Sequence, residues 1–210
     1  MTGLPPAGRS PYDDVRRRSV SLLAGAAGSA ILMVLIVGAM WVVEVADYVL
    51  PGEFDVYGIR AWDVNGLPGI LLAPFLHADF GHLMANSLPL LVLGFLAAIR
   101  GIGRFLGASA IIVLVSGVGV WLTTSPLYIT IGASGLVFGY FGYVVARGLF
   151  DRRTFDIVVG VVVAAVYYSL LWGVLPGEQG VSWQGHLFGL IGGVVAAWLL
   201  RRKAPRSLTV

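Results

Sequence analysis

The chain has 210 residues, of which 58% are hydrophobic and only 12% are charged, and its mean hydropathy is +0.87. Soluble globular domains carry about 25% charged residues, so this composition excludes an ordinary soluble protein and indicates a polytopic membrane protein. The absence of cysteine excludes disulfides, thiolate catalysis and Cys-ligated metal sites. The basic residues stand at the ends of hydrophobic segments, so the net charge of +3 is a membrane-topology signal and gives no reason to expect nucleic-acid binding.

Residues 1–19 carry prolines, glycines and arginines and are too short and polar to fold alone, which predicts a cytoplasmic tail. The first apolar run, about Val20–Val43, is too long for a signal-peptide core and predicts a first membrane helix. Five further runs contain no Asp, Glu, Lys or Arg: His82–Ile99, Phe105–Thr123, Ser134–Ala146, Ile157–Leu175 and Gly185–Leu200. We therefore expect an all-α polytopic membrane protein, with six transmembrane helices over residues 20–201 and a short cytoplasmic tail at residues 202–210.

The distribution of basic residues predicts the orientation of these helices. If the amino terminus is cytoplasmic, all of the 14 Lys and Arg residues except Arg60 lie on the cytoplasmic side, as the positive-inside rule requires. The opposite orientation would reverse this distribution. We therefore expect a multi-pass protein of the plasma membrane with both termini in the cytoplasm.

A long external loop is predicted between helices 1 and 2, at residues 44–81. Its length and its content of acidic and aromatic residues favour an interfacial position with short helices in the membrane surface.

Polar residues in three of the predicted helices converge on the outer side of the membrane. Ser134 begins helix 4, His82 and Asn86 lie at the outer end of helix 2, and His186 lies at the outer end of helix 6. His82 and Asn86 are four residues apart and share one helix face. Unrelated structural residues have no reason to meet at one depth, so these residues predict a functional site.

Two stripes of small residues accompany the site. Helix 4 carries Gly135, Gly139 and Gly142 beside Ser134, and helix 6 carries Gly185, Gly189 and Gly193 beside His186. Small residues let membrane helices approach closely. If the stripes pack together, Ser134 Oγ and His186 come within hydrogen-bond reach, which is the geometry that a nucleophile and its general base require.

Each residue also has a structural interpretation. Ser134 alone is typical of a helix N-cap or a packing serine, and His186 alone is compatible with a packing or interfacial histidine. His77 and His82 could form a metal pair, but no carboxylate within the predicted helices supports one. We therefore expect neither a metal nor a cofactor.

Taken together, three motifs resemble those of the rhomboid intramembrane serine proteases. They are His77-x4-His82-x3-Asn86, Gly132-Ala133-Ser134-Gly135, and Gly185-His186-x2-Gly189-x3-Gly193, and the resemblance covers residues 20–201 in order and spacing. It implies a six-helix rhomboid-like bundle in which Ser134 is the nucleophile and His186 is the base. It also implies that His82, Asn86 and the Ser134 backbone N–H bind the oxyanion, and that Phe138 stacks on the base where the family often has Tyr. With no Asp or Glu in a predicted helix, a Ser-His dyad fits the sequence better than a triad.

The chain departs from the family pattern at two places. The family commonly carries a Trp-Arg pair in the first external loop, where this chain has Pro68 and Gly69. Many members also follow helix 2 with a Gly pair and a Glu, where this chain reads Leu93-Gly94-Phe95-Leu96 with Arg100 beyond.

The expected function is hydrolysis of peptide bonds in or near the transmembrane segments of membrane-anchored proteins. Because unpairing a helical backbone in lipid is costly, substrates should have small or helix-breaking residues near the outer end of their spans. The alternative is a non-catalytic rhomboid-like protein that binds transmembrane helices. A histidine-relay transporter would instead require polar groups through the whole depth of the bundle and internal repeats.

Overall fold

The computed structural model describes residues 11–177 and 180–202. Within these ranges the chain forms seven α-helices and one short antiparallel ribbon of two strands. The helices are α1 (Pro11–Val49), α2 (Gly69–Leu72), α3 (Phe80–Ala98), α4 (Ile102–Thr123), α5 (Ser134–Asp151), α6 (Thr154–Val166) and α7 (Trp183–Leu199), and the strands are β1 (Ile59–Arg60) and β2 (Ile129–Thr130).

The lengths of the described helices support a multi-pass membrane protein. Three helices are long and apolar enough to cross a bilayer, namely α1 from Val15 onward, α3 and α4. The helix α6 and the 3₁₀ helix Tyr168–Val174 make a fourth candidate if they are taken as one broken span. By this criterion the described residues contain three to four spans, compared with the six that the sequence predicts. The helix α7, with 17 residues, is apolar but shorter than the other candidate spans, and α5, with 18 residues including Arg147 and Asp151, is not among the candidates.

The first helix is longer than predicted. It has 39 residues and begins at Pro11, so residues 11–19 of the predicted tail are helical and continuous with the first membrane helix. At ~1.5 Å per residue the helix is about 58 Å long, almost twice the ~30 Å hydrocarbon core. Extending an existing helix adds a hydrogen bond for each residue fixed, so polar residues can prolong an apolar helix at little cost. Residues 1–10 and 203–210 lie outside the described part of the chain.

The predicted fifth helix is not continuous. The helix α6 ends at Val166, and the chain bends by 66° into the 3₁₀ helix Tyr168–Val174. Valines and tyrosines at this point lose side-chain freedom in an α-helix. Gly173 and Pro176 further disfavour a continued helix. The prediction of one helix over Ile157–Leu175 was therefore wrong, although all of its residues are apolar or uncharged.

The loop between α1 and α3, which the sequence predicts to be external, is held against the segment that precedes α5. It contains α2 and three short 3₁₀ helices, in line with the short helices expected there. Its strand β1 pairs with β2, so that Ile59 lies opposite Thr130 and Arg60 lies opposite Ile129. Strands of two residues are too short to show an alternating pattern, which is why the sequence did not predict this ribbon.

Two tryptophans anchor the same loop to α4. Trp121 Nε1 donates a hydrogen bond of 2.9 Å to the carbonyl of Asp63, and the Trp62 N–H donates one of 3.3 Å to the carbonyl of Trp121. Their rings lie 5.7 Å apart. At the place of the family's missing Trp-Arg pair, Gly69 lets α2 lie close to the backbone of Gly58. A Cβ on Gly69 would clash with that backbone.

The helix α5 lies at the centre of the bundle. It packs most extensively against α7, and also against α6, α3 and α4. Most of its side chains are buried, including both of its tyrosines. The hydroxyl of Tyr140 is 2.7 Å from Ser109 Oγ of α4, which satisfies a polar group that would be costly to bury alone.

A buried ion cluster joins three helices at the end of the bundle opposite Ser134. Asp156 of α6 is fully buried and its Oδ1 accepts a hydrogen bond of 3.1 Å from Arg100 Nε. Arg147 of α5, only 3% exposed, places its Nε 3.2 Å from the same oxygen and donates from Nη1 to the carbonyl of Leu96 in α3 at 3.2 Å. Asp156 therefore lies within a helix, contrary to the expectation that the helices contain no Asp or Glu. So does Glu44, in α1.

Candidate active site

Ser134 is the first residue of α5 and follows a sharply turned segment. Gly132 has a φ of +110°, a conformation that glycine adopts without strain. Its N–H donates a hydrogen bond of 2.8 Å to the carbonyl of Ala73, which ties the segment to the external loop. Because Ser134 lies in the first helical turn, its N–H has no partner within the helix. A backbone donor at a helix N-terminus is suited to an anion.

His82 and Asn86 lie directly against this turn. Asp79 Oδ1 accepts a hydrogen bond of 2.8 Å from the His82 N–H and so caps α3 at its start. A Cβ placed on Gly132 would lie 2.8 Å from His82 Nε2 and 3.9 Å from Asn86 Nδ2. Asn86 Nδ2 also donates to the carbonyl of His82 at 3.1 Å, which uses one of its two hydrogens. The structure therefore brings both side chains to the residue two positions before Ser134.

His77, to which the sequence analysis gave no role, supports the same turn. It is 1% exposed, and its Nε2 accepts a hydrogen bond of 3.4 Å from the N–H of Ala133. Its ring meets the edge of His82 at a centroid distance of 5.1 Å. Burial, and secondarily His82, lowers the pKa of His77 to about 4, so the ring is neutral and can accept this hydrogen bond. Its place in the His77-x4-His82 spacing was the only sequence signal for this role.

His186 lies in the first turn of α7, which Ser182 caps by accepting a hydrogen bond of 3.2 Å from the Gly185 N–H. The imidazole is 8% exposed. The ring of Phe138, one helical turn after Ser134, stacks on it with centroids 4.0 Å apart and planes 7° from parallel. On its edge, Nδ1 is 2.8 Å from the carbonyl oxygen of Gly173. Sequence reasoning missed Gly173, because a backbone acceptor leaves no signature in residue type.

The glycines of the two stripes let the backbones of α5 and α7 touch. A Cβ on Gly189 would clash with the Gly135 carbonyl, and one on Gly193 would clash with the Gly139 carbonyl. A Cβ on Gly142 would lie 2.7 Å from the Leu190 carbonyl oxygen. Such close approach is typical of small-residue helix interfaces in membranes.

Gly185 serves a different neighbour. Its carbonyl accepts a hydrogen bond of 2.9 Å from Ser116 Oγ of α4, and the same carbonyl lies 3.5 Å from a Cβ placed on Gly135. The residues next to Ser134 and His186 in the chain therefore face each other. Ser134 and His186 thus lie in the first turns of two helices that are in direct contact.

A small cavity opens beside Ser134. Its volume is ≈ 30 Å³ and its lining includes four hydroxyl-bearing residues, Ser116, Thr130, Ser134 and Ser182. This volume is enough for one water molecule, and the hydroxyls supply the polar partners that an internal water needs in a lining that is otherwise mostly apolar. In residues 11–177 and 180–202 no cluster of three or more His, Asp or Glu side chains is arranged to hold a metal ion.

Comparison with known proteins places this arrangement in a family. The Rhomboid domain model matches residues 65–203. An uncharacterised protein of Mycobacterium tuberculosis is 47% identical over 173 residues, which cover 78% of this chain and 72% of the relative. An uncharacterised protein of Mycobacterium leprae is 40% identical over 210 residues, covering 96% of this chain and 80% of the relative. The Bacillus subtilis protein YdcA, provisionally named a rhomboid protease, is 29% identical over 158 residues, covering 72% of this chain and 76% of the relative. On these matches, and as the three motifs predicted, the chain belongs to the rhomboid family.

Proposed function

We propose that this protein is an intramembrane serine endopeptidase that cleaves membrane-anchored proteins in or near their transmembrane segments. The observation that carries the proposal is the stack of Phe138 on His186, one helical turn from Ser134, between two helices whose glycines touch. A nucleophile needs an adjacent base held in a fixed orientation, and this packing supports both requirements for Ser134 and His186.

In the proposed reaction Ser134 Oγ attacks the carbonyl carbon of the scissile peptide bond while His186 takes the hydroxyl proton. His186 then returns the proton to the departing amine, which leaves an acyl-enzyme on Ser134. A water molecule, activated by His186, hydrolyses the ester and releases the second product. The cavity beside Ser134 has room for such a water.

The tetrahedral intermediate needs donors aimed at its oxyanion. The candidates are the backbone N–H of Ser134, the amide of Asn86 and the imidazole of His82, which surround the turn at Gly132. Losing one such donor typically costs about 10²–10³ in kcat. These assignments agree with the roles that the family resemblance implies.

The membrane arrangement that goes with this function has six spans over residues 20–201. The short helices α5 and α7 would be the fourth and sixth spans. Most residues of α5 are buried, so this helix is enclosed by the others and needs less apolar outer surface. We place both termini in the cytoplasm and the active site on the outer side of the plasma membrane, because the arginines cluster at the opposite ends of the helices. Tails at residues 1–19 and 202–210 complete the proposed domain division, with the first tail helical from Pro11.

Cleavage of a helix-anchored reporter in liposomes by purified protein tests the function, together with labelling by a serine-reactive phosphonate. The parent should cleave the reporter and be labelled, whereas Ser134→Ala and His186→Ala should neither cleave it nor be labelled. Phe150→Leu, a substitution at the far end of α5 from Ser134, serves as the matched control. A folded parent that neither cleaves varied reporters nor is labelled would overturn the enzyme and favour the non-catalytic helix-binding protein.

A further inference from the structure

The edge contact between His186 and Gly173 determines which nitrogen of the imidazole carries the proton. A carbonyl oxygen only accepts hydrogen bonds, so at 2.8 Å the neutral ring must donate from Nδ1. Nε2 is then the basic nitrogen. A base that receives a proton from a serine hydroxyl needs this tautomer, and in a catalytic triad a carboxylate enforces it.

From this contact we propose that Gly173 is a positioning residue of the dyad, whose backbone carbonyl replaces the carboxylate of a triad. The proposal rests on the proposed function, because it presupposes that His186 acts as the base. The buried carboxylate of Asp156 does not take this role, because it is bound to Arg100 and Arg147 at the opposite end of the bundle. The carbonyl also stabilises the imidazolium that forms during reaction, since a hydrogen bond from a charged donor is stronger than one from a neutral donor.

The residue type at position 173 fits this role. A Cβ on Gly173 would lie 2.8 Å from Phe138 Cζ and 3.1 Å from His186 Nδ1. Any side chain at position 173 would displace Phe138 from the stack or break the hydrogen bond of His186. Only glycine lets the backbone come this close to both rings.

The position of Gly173 in the fold adds a second consequence. It lies in the 3₁₀ helix Tyr168–Val174, beyond the 66° bend after α6. The side chains of Tyr168, Leu171 and Trp172 in this segment are 62%, 47% and 69% exposed, so only some of its residues pack against the rest of the protein. The orientation of the base therefore depends on the docking of a segment that is separate from the helices bearing Ser134 and His186.

Nitrogen NMR tests the tautomer directly, because the chain has only three histidines. Full-length protein labelled with [¹⁵N]histidine is measured at pH 8 in bicelles, and His77→Gln and His82→Gln identify the remaining signals as those of His186. We expect Nδ1 protonated and Nε2 unprotonated in the parent, and a mixture of tautomers in Gly173→Ala. A parent in which His186 carries its proton on Nε2 overturns the proposal.

Kinetics test the carbonyl without adding a side chain. Replacing Val174 with its α-hydroxy analogue turns the bond after Gly173 into an ester, whose carbonyl is a weaker acceptor. We expect kcat to fall by about tenfold, with KM nearly unchanged. The control ester at Leu175 also removes one N–H and weakens one carbonyl, but it leaves the Gly173 carbonyl intact and should have a much smaller effect. Gly103→Ala, where a Cβ meets nothing within 4 Å, controls for the added methyl of Gly173→Ala.

The outcomes separate this proposal from the proposed function. Equal kcat for the two esters, in a parent that cleaves the reporter and is labelled at Ser134, overturns only the role of Gly173. A parent that is neither active nor labelled overturns the proposed function, and with it the dyad that Gly173 would position.

Discussion

The ring of Phe138 lies flat against the imidazole of His186, 4.0 Å away between centroids. Both rings are nearly inaccessible to solvent, so the stack fixes the plane of the imidazole while Gly173 fixes its edge. Two contacts of different kinds thus restrict the orientation of one side chain.

We expect Phe138→Ala to lower kcat/KM about tenfold, because an aromatic pair contributes about 0.5–1.5 kcal/mol beyond its buried area and a cavity would let the imidazole turn. Phe138→Tyr keeps the ring and should stay within about threefold of the parent. Reporter cleavage in liposomes measures both, with thermal unfolding as the check on folding. Equal activity of the alanine and tyrosine variants would show that the stack does not orient the base.

Gly193→Ala should destabilise the protein by about 1–3 kcal/mol, the usual cost of overpacking, because the new methyl would clash with the carbonyl of Gly139 and a backbone atom cannot rotate away. Thermal unfolding in detergent measures the loss, and reporter cleavage should fall with it as α5 and α7 separate. The matched control is Gly38→Ala in α1, where a Cβ meets nothing within 4 Å. This control should retain or slightly gain stability. Similar melting temperatures for the two variants would contradict a close backbone contact between α5 and α7.

Asp156→Asn should cost about 3–5 kcal/mol, since it leaves Arg147 buried without its counter-charge. The double variant Asp156→Leu with Arg147→Met should recover most of this stability, because it removes both charges and keeps a similar volume. Thermal unfolding of the two variants beside the parent measures the difference. A double variant no more stable than Asp156→Asn would mean that the ion pair is not the source of the effect.

The pH dependence of stability should contain a contribution from His77. Its pKa is about 4 in the folded protein against 6.5 for the free side chain, so below pH 6.5 the unfolded chain takes up a proton that the folded protein refuses. The stabilisation from neutral His77 is complete above pH 6.5. As the pH falls from 6.5 towards 4, the free energy of unfolding decreases by up to about 3 kcal/mol, and below pH 4 this group causes no further change. His77→Gln keeps an acceptor for Ala133 but cannot titrate, so its melting temperature should fall less than that of the parent between pH 7 and pH 4. Parallel curves for the two proteins would contradict this assignment.

Trp121→Phe should loosen the external loop while keeping a ring against Trp62. The substitution removes the hydrogen bond from Nε1 to the Asp63 carbonyl, a loss of about 1 kcal/mol. Hydrogen exchange of the amides in residues 59–66 should accelerate more than that of α3 or α4. Uniform exchange rates in both proteins would show that this contact does not anchor the loop.

The sequence predicted those features that depend on residue type at helical spacing. The beginnings of α3, α4 and α5 agree with the predictions to within three residues, because a long apolar run without charged residues is a strong signal of a membrane helix. His82 and Asn86, which lie against the turn before Ser134, were also identifiable, since histidine and asparagine are rare inside apolar helices. The family predicted from the motifs is confirmed by the match to the Rhomboid domain.

The features that the sequence did not predict depend on the backbone or on tertiary contacts. The bend after Val166 occurs in a segment that is uniformly apolar, and the hydrogen bond from His186 ends on a carbonyl that every residue type possesses. The burial of Arg147 was hidden for a related reason. An arginine at the end of an apolar run predicts topology, and only the fold shows that Asp156 lies beside it.

The contact of Gly193 with the Gly139 carbonyl bears on how relatives of this protein are sorted into enzymes and inactive homologues. Sorting by the presence of the serine and the histidine alone assumes that α5 and α7 are equally close in every relative. In this protein their closeness depends on the absence of a side chain at position 193, more than one helical turn from His186. A homologue with valine in place of Gly193 would keep every reactive group and still hold its serine and histidine too far apart to react, so surveys of lost activity need to examine the interhelical glycines as well.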